Sequence, residues 1–266
     1  MDNMQKIPVF FTFDANYLLA AKVAIHSMMK HASRQYWYEL YVFHTTLSPK
    51  AQQSLRNSLK EFTHTELHFI DVTQYNEKIK NFGTKAHYSK EIFYKLIATD
   101  VLPQYDRIIC SDVDVVFTGD FSPVFFMFPN EKFYYAGVGP VENSRMPYYR
   151  KDFSTTEMEI LEHEIAAGFL LINLKELRND HKQEEIINFY VNNYPRLRLP
   201  EQDCIILTCW PYIKYLPIDY SLPISFYRLN MNQRDFYQGN TEFAGDKATA
   251  LAKFNKGLAH PVQIHY

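Results

Sequence analysis

A chain of 266 residues with 47% hydrophobic content can bury a sizeable core, and a formal charge of −2 with a pI near 6.6 leaves no basic footprint for nucleic acid. Three cysteines, Cys110, Cys204 and Cys209, are too few and too unevenly spaced for a disulfide framework or a zinc ribbon, which fits a reducing compartment. The first nine residues lack the basic-then-apolar order of a signal peptide, and no apolar run approaches the ~20 residues of a membrane helix.

Pro8-Val-Phe-Phe-Thr-Phe13 reads as a first strand closed by Asp14. A helix follows to about His31, with Leu18, Ala21, Ile25, Met28 and Met29 on one face. Glu39 to Phe43 is a second strand. Ser48 and Pro49 form a helix start, with Ala51, Leu55, Leu59 and Phe62 facing inward. Leu67 to Val72 is a third strand, and Ser89 opens a helix that buries Ile92, Phe93, Leu96 and Ile97 before Pro103. This alternation of strand and helix predicts an α/β fold with a mixed, mostly parallel sheet between helices.

The second half is less regular. Phe133 to Val138 is a strand, and residues 140–164 form a long polar stretch carrying Arg145, Arg150 and Lys151, the kind of loop that serves as a lid, a binding loop or a disordered segment. Gly168 to Leu174 is a continuous apolar strand, Glu184 to Tyr194 a helix, and Glu201 to Leu207 a short helix with acids in its first turn. Short strands separated by Pro211, Pro217 and Pro223 lead to Gln263-Ile-His-Tyr266. No repeat, low-complexity tract or linker divides the chain. Residues 1–266 therefore read as one domain, with 1–118 and 119–266 as its two halves.

The most informative stretch is Ile108-Ile-Cys-Ser-Asp-Val-Asp-Val-Val-Phe117. Two carboxylates, Asp112 and Asp114, interrupt an apolar run, and in extended backbone they point to the same side. Two anions at the end of a buried strand repel each other, and an oxygen-seeking divalent cation such as Mg²⁺ or Mn²⁺ removes that repulsion. Strand C-termini at a sheet crossover are where ligands bind in such folds. Other motifs fail. His163-Glu164 begins a zinc-protease pattern, but the second histidine would stand at Ala167; Gly137-Val-Gly139 lacks the third glycine of a dinucleotide loop. No nucleophile elbow or P-loop is present.

The chain resembles the retaining glycosyltransferases of family eight, in particular the bacterial enzymes that add galactose or glucose to lipopolysaccharide. The likeness rests on Phe11 to Tyr17, Tyr94-Lys-Leu96, Cys110 to Asp114, Ala166 to Leu174, Glu201-Gln-Asp203 and His265-Tyr266, in that order along the chain. It implies a nucleotide-sugar transferase fold of the GT-A type. The implied activity moves a hexose from UDP-galactose or UDP-glucose to a glycan or glycolipid acceptor, with retention. It further implies that Asp112, Asp114 and His265 hold Mn²⁺, with Mg²⁺ as the alternative. Thr12, Asp14, Asn16, Tyr17, Asp112 and Val113 would meet the nucleotide, and Lys95, Ala167, Gly168, Glu201 and Gln202 the sugar. Gln202 matches the residue beside the anomeric carbon, and Asp203 and Glu201 are the carboxylates available for a double displacement. A front-face route with the leaving diphosphate assisting is favoured.

Three departures stand out. Lys95 replaces the family's arginine, a point charge for a planar fork. Ala166 replaces an asparagine before Ala-Gly. The family continues past His-Tyr with a glycine and a lysine that meet the phosphates, and a basic tail there would bring a cytoplasmic protein to the inner face of the membrane. These departures also fit an alternative, a member that binds a nucleotide sugar without transferring it.

Overall fold

The computed structural model describes residues 4–80, 90–142 and 151–266. Its centre is a seven-stranded sheet in the order β3-β2-β1-β4-β7-β6-β8: β1 is Lys6–Thr12, β2 Trp37–His44, β3 Thr65–Asp71, β4 Ile108–Ser111, β6 Tyr135–Val138, β7 Phe169–Ile172 and β8 Ile213–Leu216. β7 is antiparallel to both of its neighbours, and every other adjacent pair is parallel. The sheet is thus mixed and mostly parallel, its strand-helix alternation accounting for the parallel β3-β2-β1-β4 part.

Side-chain alternation on β1 explains why it is central. Val9 and Phe11 enter the core on one face with Ala21, Ala24, Ile25, Met28 and Met29 of the Leu18–His31 helix. Phe10 enters the core on the other, which holds Ile186, Ile187 and Tyr190 of the Lys182–Asn193 helix and Cys204, Ile205 and Ile206 of the Pro200–Cys209 helix. Covered on both faces, the strand must be apolar throughout.

From β1 the chain moves outward through β2 to β3, then crosses back to the other side of β1 to form β4. The C-termini of β1 and β4 therefore flank a switch point, the crevice where ligands bind in open α/β sheets. Beyond β4 the chain bends at 112–114 and leaves the sheet as β5, Val115–Phe117. There it joins a three-stranded sheet with β10, Gln263–His265, and β9, Leu222–Pro223.

Several expectations are corrected. The Asp112-Val-Asp114 segment is a bend between two sheets, not extended strand. Residues Lys90–Ile97 form a 3-10 run followed by one α turn at Ala98–Val101, in place of an α-helix with one apolar face. Nearly all of Lys90–Ile97 is buried, so no amphipathic period exists to read. β7 stops at Ile172 because Asn173 turns the chain and accepts from Glu176 N at 3.2 Å, capping the Leu174–Asn179 helix. Within the stretch 140–164, a capping box of Ser154 and Glu157 starts a helix at Thr155–Leu161. Arg145 and Arg150 of the expected lid, and Ser89 of the expected helix start, lie outside the described residues. A helix at Lys247–Ala259 was not foreseen. Among the described residues no helix is long and apolar enough to cross a membrane.

Candidate functional site

The switch point gathers most of the expected residues. The Phe10–Cys110 pairing of β1 with β4 carries Thr12 level with Asp112, two residues further on. Asp112 lies directly after β4, where its backbone N–H donates to Gly168 O at 2.9 Å. Asp114 stands at the entry to β5, and β10 pairs antiparallel with that strand through His265–Val115 and Ile264–Val116. Tyr266 N–H donates to Asp114 O at 3.1 Å. This pairing delivers His265 to the two aspartates: its Nε2 lies 3.3 Å from Asp114 Oδ1 and 3.9 Å from Asp112 Oδ2.

One ligand atom from each of these three residues lies within 4.8 Å of the others. Donors on adjacent positions of an octahedral cation with ~2.1 Å bonds are about 3 Å apart, and opposite ones about 4 Å apart, so the set fits a small divalent ion with coordination positions left open. Two carboxylates and an imidazole suit Mn²⁺ better than they suit Ca²⁺. Burial works against a charged His265, but the pairing with Asp114 and the nearby Asp112 outweigh it and raise its pKa. Burial likewise opposes the Asp114 carboxylate, and His265 holds its pKa below the usual range.

Gly168 makes room for this arrangement. A Cβ there would lie 2.6 Å from His265 Nδ1, so only glycine lets the imidazole rest against the backbone. Ala167 is buried and contributes its carbonyl, which accepts from Lys95 Nζ at 3.1 Å. The Val113 side chain is 5% exposed and anchors the bend in the core, leaving its backbone for any ligand contact.

Lys95 has a different position from the one expected of a sugar-binding cation. It is 2% exposed, with Asp112 Oδ1 at 2.6 Å, Glu201 Oε1 at 3.2 Å and Ala167 O at 3.1 Å. Its three N–H donors thus meet three protein acceptors, and it organises the site from below. Burial lowers its pKa, but Asp112 and then Glu201 more than compensate, so it stays charged. Glu201 is also buried, and desolvation raises its pKa. Its Oε2 is buried with no hydrogen-bond partner, an acceptor left unsatisfied within the protein.

Asp203 is corrected more sharply. It is completely buried, and its Oδ2 accepts from the backbone N–H groups of Arg198 at 2.5 Å and Leu199 at 3.0 Å. That carboxylate fastens the start of the Pro200–Cys209 helix and is not presented to a substrate. Gln202, one residue earlier, is half-buried and lines a cavity of about 300 Å³ together with Val138, Glu164, Ala166 and Phe226.

In the first-strand motif, Thr12 Oγ1 donates to Glu91 O at 2.8 Å and ties β1 to the Lys90–Ile97 segment. Asp14 accepts from Asn16 N at 2.8 Å and Asn16 Nδ2 at 3.1 Å, capping the turn Ala15–Tyr17. The Tyr17 ring is 38% exposed. Sequence reasoning missed Glu164, which accepts from Gln202 Nε2 at 3.1 Å. Its one signal was an acid placed two residues ahead of Ala166. The neighbouring His163 stacks on Trp210 with ring centroids 3.8 Å apart and plays no part in this site.

The model of the family described as Glycosyl transferase family 8 matches residues 8–257. No significant match is found among curated protein sequences. Among solved structures, the bifunctional glycosyltransferase WbbM superposes with a TM-score of 0.73 at 20% identity, covering 98% of this chain and 46% of its own, so this chain spans under half of that protein. The galactosyltransferase LgtC, solved with donor and acceptor sugar analogues, gives 0.68 at 15% identity over 98% of this chain and 87% of its own. Mouse xyloside xylosyltransferase 1 gives 0.63 at 15% identity over 99% and 98%. Their common architecture is the GT-A fold.

Proposed function

The chain belongs to glycosyltransferase family 8 and is a glycosyltransferase; from that premise we propose that it transfers galactose or glucose from the UDP conjugate to a hydroxyl of a lipopolysaccharide-type glycan, with retention and with Mn²⁺. The observation that carries this reading is the convergence of Asp112, Asp114 and His265 at the switch point, in a spacing suited to a divalent ion. The galactosyltransferase LgtC, solved with donor and acceptor sugar analogues, supports the substrate class by analogy of fold.

Each residue then has a task. Asp112 Oδ2, Asp114 Oδ1 and His265 Nε2 would hold the ion. When bound, the ion supplies Lewis-acid neutralisation of the diphosphate of the departing UDP. The exposed Tyr17 ring offers a stacking face for uracil, and Asp14, Asn16 and the backbone of Val113 would supply the nucleotide's polar contacts. Glu201 Oε2 accepts from a hydroxyl of the transferred sugar, and Lys95 keeps Glu201 and Asp112 apart and charged-compensated beneath it. Gln202 lies on the acceptor side, where its amide oxygen steadies positive charge growing at the anomeric carbon during front-face attack. Asp203 takes no part. The three free, buried cysteines fit a reducing cytoplasm.

Replacing Asp114 by Ala tests the reading. Mn²⁺-dependent UDP binding, followed by calorimetry, is expected to be lost, and donor hydrolysis with it; unchanged binding would remove the metal site from the proposal. Incubating the wild type with UDP-galactose or UDP-glucose and Mn²⁺ separates a transferase from a protein that only binds the donor, since the former releases UDP slowly without acceptor.

A further inference from the structure

We infer that Glu164 is a positioning residue that fixes which way the Gln202 amide faces. The inference rests on Gln202 standing at the reaction centre and adds a partner outside the family motif. Glu164 is 6% exposed, follows the Thr155–Leu161 helix, and lines the same cavity as Gln202. Gln202 Nε2 donates to Glu164 Oε1 at 3.1 Å.

The chemistry of this pair leaves one orientation. An amide has two ends of nearly equal size, and only its hydrogen bonds decide between them. An ionised carboxylate accepts and never donates, so the nitrogen end of Gln202 must turn to Glu164. The carbonyl end, with its lone pairs, is then directed away from that acid. Without Glu164 the two orientations would compete, and half the molecules could offer N–H groups to an electron-poor anomeric carbon. A residue that must present an electron pair benefits from losing that freedom before the substrate arrives.

The chain path connects this pair to the donor site. Glu164 lies two residues before Ala166, which lines the cavity and donates its N–H to Val138 O at 2.8 Å. The next residue, Ala167, offers its carbonyl to Lys95, and Gly168 packs against His265. Five consecutive residues, 164–168, thus run along the chain from the amide-orienting acid, which lines the cavity, to the glycine against which His265 packs.

The test is a double-mutant cycle on Glu164→Ala and Gln202→Ala, read as kcat and KM for UDP-hexose hydrolysis with Mn²⁺, with UDP affinity and Tm measured alongside. Glu164→Ala is expected to lower kcat about 10- to 100-fold while UDP affinity holds. Added to Gln202→Ala, it should have no further effect, because the amide it orients is gone. Glu164→Gln keeps the size but donates as well as accepts, so it no longer selects one orientation and should recover only a minor part of the lost kcat. Equal losses in both backgrounds, or a kcat unchanged by Glu164→Ala, would overturn the inference while leaving the transferase reading intact. A fall in Tm and UDP affinity without the cancellation would make Glu164 merely structural and overturn it as well. Absence of wild-type turnover with every donor would overturn the transferase reading, and this inference with it.

Discussion

A hydrogen atom in place of a methyl group at position 168 decides whether His265 can lie against the two aspartates. In Gly168→Ala the new Cβ would fall 2.6 Å from His265 Nδ1, and the imidazole would have to leave. Mn²⁺ affinity measured by calorimetry is expected to drop about 10- to 100-fold, on the scale of disturbed metal-ligand support. Far-UV circular dichroism should stay as it is, and an unaltered affinity would mean that His265 is not a ligand. The same scale shows what a sequence can declare. Asp112 and Asp114 were legible because charges inside an apolar run are costly and call for compensation. The interaction of Lys95 with both Asp112 and Glu201 was not, since those partners are 17 and 106 positions away, and only the folded chain shows that the lysine faces inward. Glu164 was hidden for a similar reason: its partner is 38 residues on.

At the level of the element, the start of the Pro200–Cys209 helix depends on one internal acid. Asp203 receives two backbone N–H groups, those of Arg198 and Leu199, that the helix itself cannot satisfy. Asp203→Asn keeps an acceptor oxygen but loses the charge, which is expected to cost about 1–2 kcal/mol and lower Tm in a thermal melt. Turnover per folded molecule should remain within a few-fold; a collapse of kcat at unchanged Tm would restore Asp203 as a nucleophile. The strands were readable because burial on both faces demands apolar residues, and β1, β2 and β4 show this in sequence. Boundaries failed where side chains overrule pattern, as at Asn173, which ends β7 by capping a helix. The Lys247–Ala259 helix escaped notice although Phe254, with half-buried Leu251 and Leu258, marks a helical period, because the other core-facing positions, Ala250 and Gly257, are small and break the apolar stripe.

For the molecule as a whole, one half-buried acid outside the site gives stability a pH dependence. Burial pushes Glu242 up to about 7, with Asp219 adding to the shift; the Ile218 N–H, at 3.0 Å from Oε1, and Lys253 act against it. A raised folded-state pKa means that the native protein holds a proton the unfolded chain releases near 4.5. The stabilisation is therefore complete below about pH 4.5 and is lost as pH rises through about 7, a swing on the order of 3 kcal/mol. Glu242→Gln preserves an oxygen for Ile218 N–H and carries no charge. Its Tm should exceed wild type by several degrees at pH 8, at ~2–4 °C per kcal/mol, and match it near pH 4.5. A variant that tracks wild type at both pH values would show that Glu242 is not desolvated in solution.

The antiparallel seam between β5 and β10 has a bearing on how the enzyme would wear out. Three paired residues keep His265 beside Asp114, whereas the large sheet rests on two broad apolar layers. With cation and nucleotide present, a tether between segments roughly 150 residues apart closes that seam, as a crosslink would. When they are scarce, heat or dilution would unzip it first. Catalysis would then fade from a molecule whose main sheet and its two apolar layers still stand, and resupplying metal and donor would bring it back.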